Sequence, residues 1–146
     1  MRISRKVEYA LRALVAMARG NRAMQIQELS RLENIPVKIL EQVLLALRNA
    51  GFLTSKRGAG GGYTLRLSPS QIFVGEVIRA MDGPLAPVPC AAAQPLEKCT
   101  CPDPRTCAVR LLMTEARAHL SAVFDHRTIE DMVRSSLDSS TVAFEI

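Results

Sequence analysis

The chain is 146 residues long and 48% hydrophobic, which suffices for one core and a small appended element but is too short for two ordinary domains. Its formal charge of +5 suits a polyanionic partner, and residues 1–67 account for all of it, with twelve Lys or Arg against four acidic residues. Glu8 and Arg12 interrupt the first apolar run, which is far shorter than the ~20 residues of a membrane span. We therefore expect a cytoplasmic protein with no membrane association.

The first predicted element is an amphipathic helix. Val7, Ala10, Leu14 and Ala18 recur at the spacing of one helical face, and Gly20 is suited to ending the helix. This face is expected to lie in the core.

Two short helices joined by a tight turn are predicted next. The first fits the spacing of Ile26, Leu29 and Leu32, and the second covers residues 37–50 after a turn at 33–36. The second helix has a polar outer face, formed by Lys38, Glu41, Gln42, Leu45, Arg48 and Asn49. This arrangement places a recognition helix in a DNA major groove, although other antiparallel helical pairs give the same pattern.

A β-hairpin is predicted after these helices. Strand-like segments at 52–57 and 63–67 flank a glycine-rich tip at 58–62. Lys56 and Arg57 are well placed there to reach phosphates or a narrow minor groove. The glycine cluster enters a strand and lacks the Lys-Ser/Thr pair of a phosphate-binding loop, which argues against a nucleotide enzyme. A helix-turn-helix followed by a hairpin is a winged helix.

The rest of the chain divides at a loop without periodicity. We predict a winged helix-turn-helix DNA-binding domain at 1–82, a cysteine-bearing sensor loop at 83–107, and a dimerisation helix with a short final helix at 108–134. A flexible tail is expected at 135–146. Since little core is left to cover the apolar face from Val109 to Phe124, we expect a homodimer on a pseudo-palindromic double-stranded DNA site. The fold class is mainly α with a small β-hairpin wing and a long C-terminal dimerisation helix.

Four cysteines lie in or beside the loop, at positions Cys90, Cys99, Cys101 and Cys107. Structural zinc favours paired Cys-x2-4-Cys knuckles, and the irregular spacing here favours an iron–sulfur cluster. Zinc remains an alternative, as does a metal-free thiol switch, because Lys98, Arg105 and Arg110 are placed to lower a cysteine pKa. A small cluster-bearing redox enzyme is a weaker alternative, since the chain has no nucleotide fingerprint, no paired catalytic carboxylates and no nucleophile with a partnered histidine.

Several motifs follow one another at specific spacing: Arg2-Ile3-Ser4, Tyr9-Ala10, Leu40-Glu41-Gln42, Arg57-Gly58-x-Gly60-Gly61-Gly62-Tyr63, Val74-Gly75-Glu76-Val77-Ile78 and the loop cysteines. Together, over about residues 1–134, they resemble the Rrf-type transcription regulators, a family that includes IscR, NsrR and RirA. The resemblance implies a homodimeric repressor or activator whose [2Fe-2S] or [4Fe-4S] cluster reports iron supply, redox state or nitric oxide. It also implies that Lys38, Glu41 and Gln42 face the major groove and that Arg57 enters the minor groove.

The resemblance further implies three cysteine ligands, Cys90, Cys101 and Cys107. In IscR-like members a histidine three residues after the third cysteine completes the site, but this chain has Arg110 there, which cannot coordinate a metal. The extra Cys99 is one candidate for the fourth ligand, and Glu8 from the first helix of the partner subunit is the other. We expect Glu8, because a carboxylate is a weaker ligand for iron and leaves a labile position.

Overall fold

The computed structural model describes residues 3–94 and 99–142, with side chains up to residue 139, and over these ranges the chain forms six α-helices, a two-stranded sheet and two 3-10 turns. The helices are α1 (Arg5–Gly20), α2 (Ile26–Glu33), α3 (Val37–Asn49), α4 (Val74–Asp82), α5 (Ala108–Phe124) and α6 (Ile129–Val142). The strands are β1 (Leu53–Lys56) and β2 (Gly62–Leu65), and the 3-10 turns are Pro69–Gln71 and Pro89–Ala91. The expected mainly helical fold with a small hairpin is confirmed. Within the described ranges, no helix has the length and hydrophobicity needed to cross a membrane.

Helix α1 is the centre of the core. Its apolar face packs against α2, α3, α4 and α6. Leu14 of α1 is fully buried together with Leu40, Leu44 and Leu47 of α3. Burial of each such side chain is worth about 1.5–3 kcal/mol, so α3 is held firmly with its opposite face toward solvent.

Local hydrogen bonds fix the helix ends. The hydroxyl of Ser4 accepts the Val7 N–H at 3.2 Å and donates to a carboxylate oxygen of Asp82 at 2.6 Å. The start of α1 is thereby joined to the end of α4. Asn34 has a left-handed backbone with φ of 50° and ends α2, and Pro36 directly precedes α3, so the turn lies where the sequence predicts it.

The hairpin is attached to the segment before α2. Strands β1 and β2 are antiparallel, with Lys56 opposite Gly62. Met24 and Tyr63 exchange two backbone hydrogen bonds, with N–O distances of 3.0 and 2.9 Å. Gly62 has φ of 140°, and a Cβ atom there would lie 2.5 Å from the Met24 carbonyl oxygen. Only glycine permits this close approach.

Helix α5 is fastened at its C-terminal end and exposed along its length. The Val74 N–H donates to the Arg127 carbonyl at 2.9 Å, and the Ile129 N–H donates to the Ile72 carbonyl at 3.0 Å. These bonds join the α5–α6 turn to the start of α4. None of the 17 residues of α5, all within the described ranges, is buried in the single chain.

Helix α6 is longer than the sequence indicates. It runs over Ile129–Val142, whereas the sequence predicts a flexible tail from residue 135. The difference arises from packing, because α6 lies along α1 and the Arg19 guanidinium donates to the Ser136 hydroxyl. Such contacts stabilise serine-rich helical turns that have weak intrinsic propensity. Residues 143–146 of the predicted tail lie outside the described residues.

Candidate cysteine centre and nucleic-acid interface

The cysteines lie where the loop after α4 returns to the beginning of α5. Cys90 is in the 3-10 turn Pro89–Ala91, which packs against α5. Cys107 is the residue that directly precedes α5, and Cys99 and Cys101 lie on the segment leading to it. All four thiols are free and partly exposed. The loop therefore folds back so that both of its ends meet at the first turn of α5.

Sulfur contacts connect the four side chains into one cluster. The Cys101 Sγ lies 3.2 Å from the Cys107 Sγ, and the Cys101 backbone N–H donates to the Cys99 Sγ at 3.5 Å. Cys99 also lies near enough to Cys90 to contribute to the raised pKa of the Cys90 thiol. The three cysteines implied as ligands and the additional Cys99 are thus brought together within one chain.

Hydrogen bonding divides these cysteines into two kinds. Bonds to Cys99 and then Cys107 raise the pKa of Cys101 to about 12. The pKa of Cys99 is lowered chiefly because the Cys101 thiol donates to it, and the pKa of Cys107 chiefly because the Arg110 backbone N–H in the first turn of α5 donates to it. Partial burial raises the pKa of Cys90. Cys99 and Cys107 are therefore the readier thiolates, which are the forms that bind metals and attack oxidants.

Arg110 fastens the cysteine loop to α5. Its Nε donates to the carbonyl oxygen of Cys90 at 3.2 Å, and its Nη1 donates to the carbonyl oxygen of Pro104 at 3.2 Å. Its charge also contributes to the lowered pKa of Cys99, as the sequence predicts for a neighbouring cation. This bracing role is not evident from the sequence, although the spacing of Arg110 from Cys107 puts it one helical turn into α5.

Two other sequence-predicted residues, Arg105 and Glu8, form ion pairs with neighbouring side chains. Arg105 forms an ion pair with Asp103 at 3.2 Å, and Lys98 lies outside the described residues. Glu8 is exposed on α1, where its carboxylate is 3.4 Å from the Arg12 guanidinium, and it lines a groove of about 500 Å³ beside α6. Over the described ranges, no group of three or more His, Cys, Asp or Glu side chains is arranged to hold a single metal ion.

The candidate DNA-contacting side chains are all exposed on two neighbouring elements. Lys38, Glu41 and Gln42 lie on the face of α3 opposite the core. Lys56 ends β1 and Arg57 follows it, and both side chains are exposed. Strand β1 packs against α3, so this helix and the hairpin form adjoining parts of one surface.

Further polar contacts hold the helix and the hairpin in register. An Arg48 guanidinium nitrogen at the end of α3 donates to the Ser55 hydroxyl at 3.3 Å, and the hydroxyls of Thr54 and Thr64 are 2.8 Å apart across the strands. The sequence predicts that Arg48 lies on the outer face of α3 but not which group it contacts. The contact could have been inferred from the position of Arg48, because a basic side chain at the end of a helix that leads directly into a strand can reach that strand.

Comparisons with known proteins extend along nearly the whole chain. The model of the Rrf2 family, described as iron-dependent transcriptional regulators, matches residues 3–135. An rrf2-like helix-turn-helix regulator of Rhodobacter capsulatus is 36% identical over 137 residues, covering 90% of this chain and 91% of that protein. The regulator NsrR of Bacillus subtilis is 29% identical, with 94% of each chain covered. The solved structure of CymR, described as the global cysteine regulator of B. subtilis, is 32% identical and superposes with a TM-score of 0.76, covering 92% of this chain and 98% of that one.

Proposed function

Because the chain belongs to the Rrf2 family of transcriptional regulators, we propose that it binds DNA as a homodimer and that an iron–sulfur cluster on its cysteine loop sets its affinity for DNA. The observation that carries this proposal is the convergence of four thiols at the base of α5, in a chain whose recognition helix presents a polar outer face. Its relatives are named as regulators rather than enzymes. It works in the cytoplasm, where bacterial DNA lies.

The DNA-binding surface combines two kinds of contact. Glu41 and Gln42 are one helical turn into α3, where side chains of a recognition helix reach base edges, and Lys56 on the hairpin is suited to a phosphate. Gln42→Ala is expected to relax sequence preference at particular positions and to cost about 1–3 kcal/mol on the preferred site. Lys56→Ala is expected to weaken all sequences similarly and to reduce the salt slope by about one unit.

These variants are compared by titrating a selected DNA site and a scrambled duplex at several salt concentrations. Arg134→Ala serves as a control, because it removes one positive charge at an exposed side chain of α6, outside α3, the hairpin and the cysteine loop. Equal loss of specificity in the Gln42 and Lys56 variants would contradict the assigned orientation.

Dimerisation is supported by the uncovered face of α5. Three large apolar side chains on one face of this helix are more than half exposed in the single chain, namely Val109, Leu112 and Val123. A row of exposed apolar side chains of this kind marks an interaction site. We assign it to the same helix of a second copy, which gives the two-fold symmetry of a palindromic DNA site.

Sedimentation tests this assignment at micromolar concentration. Leu112→Glu is expected to shift the protein to monomers, because it buries a charge in the pairing surface. Leu32→Glu is the matched control, since Leu32 on α2 is 62% exposed against 59% for Leu112 but lies outside α5. A wild-type monomer, both alone and on DNA, would exclude the homodimer.

The donor set fits an iron–sulfur cluster, because soft thiolates are the ligands such clusters take and the contacting cysteines come from one loop. We propose that Cys90, Cys101 and Cys107 bind it. When bound, the cluster supplies a redox-active group that also reacts with small molecules. The protein's part is to hold the thiols together, to release their protons as the ligands bind, and to brace the loop through Arg110.

The fourth ligand remains a choice between Cys99 and Glu8 of the partner subunit. The sulfur contacts of Cys99 support Cys99, whereas the Glu8 carboxylate is paired with Arg12 in its own chain. Each side chain is changed to alanine in a separate variant, and the two anoxically purified proteins are compared by visible absorbance and by iron and sulfide content. Loss of the spectrum in Cys99→Ala with retention in Glu8→Ala supports an all-cysteine site. The opposite result would assign the position to Glu8.

A colourless wild-type protein with no iron would refute the cluster and favour the second candidate, a regulator switched by zinc or by thiol oxidation. The 3.2 Å contact between Cys101 and Cys107 supports this alternative, as does the similarity to CymR. Peroxide would oxidise the two thiols to a disulfide and be reduced to water. Mass loss of two hydrogens, reversed by dithiothreitol, identifies that switch, and one zinc ion per chain identifies the other.

A further inference from the structure

An apolar side chain lies in the middle of the polar outer face of α3. At about 100° per residue, Leu45 is some 160° around the helix from both Val43 and Leu47, which are buried. Leu45 itself is 45% exposed. The Leu45 side chain is therefore directed away from the core, and packing within the single chain does not explain why an apolar residue occupies this position.

The neighbours of Leu45 on this face are the candidate base-reading residues. Glu41 and Gln42 precede it by four and three residues, which makes them its direct neighbours on the helix surface. Lys38 and Asn49 lie within about 40° of the same direction. Any element that approaches Gln42 closely enough to hydrogen-bond with it also meets the Leu45 side chain.

The major groove offers one apolar group to such a side chain. Its base edges carry hydrogen-bond donors and acceptors, except for the C5 methyl group of thymine. A leucine among polar side chains that read base edges is thus complementary to a thymine next to the base those side chains contact.

We propose that Leu45 is a specificity-determining residue that packs against a thymine methyl group beside the base read by Glu41 or Gln42. The inference rests on the proposed function, because it requires α3 to enter the major groove. The contact replaces the exposed apolar surface of Leu45 with a second apolar surface and excludes water from both. It gives the protein a preference for thymine over a base that lacks the methyl group.

The test is a double-mutant cycle in which one partner is DNA. A preferred site is selected from random duplexes with the wild-type protein, and each thymine is replaced in turn by deoxyuridine, which lacks only the methyl group. One replacement in each half-site is expected to weaken wild-type binding about fourfold, the value of one buried methyl-sized group. In Leu45→Ala that replacement should have no effect.

Ile39→Ala is the matched control. Ile39 is another apolar residue of α3, it is 42% exposed, and it lies about 120° around the helix from Leu45. This variant is expected to keep the wild-type sensitivity to deoxyuridine. Circular dichroism and thermal unfolding check that both variants fold.

Three results would overturn the inference, and they show whether the proposed function fails with it. If the wild type selects a site but no thymine in it is sensitive, or if Leu45→Ala keeps the sensitivity, α3 reads DNA without this contact and the proposed function stands. If the wild type shows no sequence preference for any duplex, the proposed function fails together with the inference.

Discussion

Replacing Gly62 by alanine is expected to loosen the wing from the helical core. Gly62 has φ of 140°, a backbone region that is unfavourable for residues with a side chain, and its missing Cβ faces the Met24 carbonyl oxygen at 2.5 Å. No carbon atom is tolerated at that distance, so the strand must move away from Met24. The movement breaks the two hydrogen bonds between Met24 and Tyr63.

The size of the effect follows from two contributions. Holding alanine in an unfavourable backbone region costs about 1–3 kcal/mol. Loss of two backbone hydrogen bonds adds about 1–3 kcal/mol, at 0.5–1.5 kcal/mol each. Gly58→Ala separates them, because Gly58 also has positive φ, at 96°, but a Cβ atom added there would meet no other atom within 4 Å. Gly58→Ala should therefore show the first contribution alone.

The free energy of unfolding of both variants is measured by urea titration under identical conditions. Gly62→Ala should be less stable than Gly58→Ala by about 1–3 kcal/mol, and its affinity for DNA at low salt should also be the lower of the two. Stabilities that agree within about 0.5 kcal/mol, which is below that expected range, would refute the argument, since the contact with Met24 would then contribute nothing.

Two further changes test the C-terminal half of the chain. The pKa of Asp131 is lowered because the Thr128 backbone N–H donates to its carboxylate. The contribution of Asp131 to stability is therefore present above the unfolded pKa near 4 and is lost as the pH falls through the folded pKa. In thermal unfolding, Asp131→Ala should lose less stability than the wild type between pH 7 and pH 3, and an equal loss would contradict this. Arg110→Ala removes the hydrogen bonds to the Cys90 and Pro104 carbonyls. It should speed amide hydrogen exchange in the cysteine loop about tenfold, the equivalent of roughly 1.4 kcal/mol, and Arg110→Lys should have a smaller effect. Unchanged exchange would show that Arg110 does not brace the loop.

Periodicity predicted the helices that bury a continuous apolar stripe. The spacing of Val7, Ala10 and Leu14 identifies α1, and all three side chains are fully buried. The serine-rich half of α6 carries no comparable stripe. Its helical structure depends on contacts with α1, such as the bond between Arg19 and Ser136, and these join residues far apart in the sequence.

The cysteine centre was predictable in composition but not in arrangement. The density of thiols in one loop indicated a metal or redox site. Which sulfurs meet depends on the path of the loop, and that path is held by the bonds of Arg110 to backbone carbonyls, which a sequence pattern does not reveal. The contact of Cys99 with Cys101 was accordingly left open by the sequence.

Helix α5 joins the cysteine loop, bonded to Arg110 in its first turn, to the α5–α6 turn at its other end, and it is rigid enough to act as a lever arm between them. Its pivot is the α5–α6 turn, which is bonded to the start of α4 and reinforced by an ion pair of 2.8 Å between Arg79 and Asp125. Cys107 lies at the opposite end, about 25 Å away for a helix of 17 residues. A displacement of Cys107 by about 2 Å turns the arm by about 5°, and an atom one helix spacing of about 10 Å from the pivot then moves by about 1 Å. A movement of one sulfur would therefore reach the helix packed beside the pivot at about half its size.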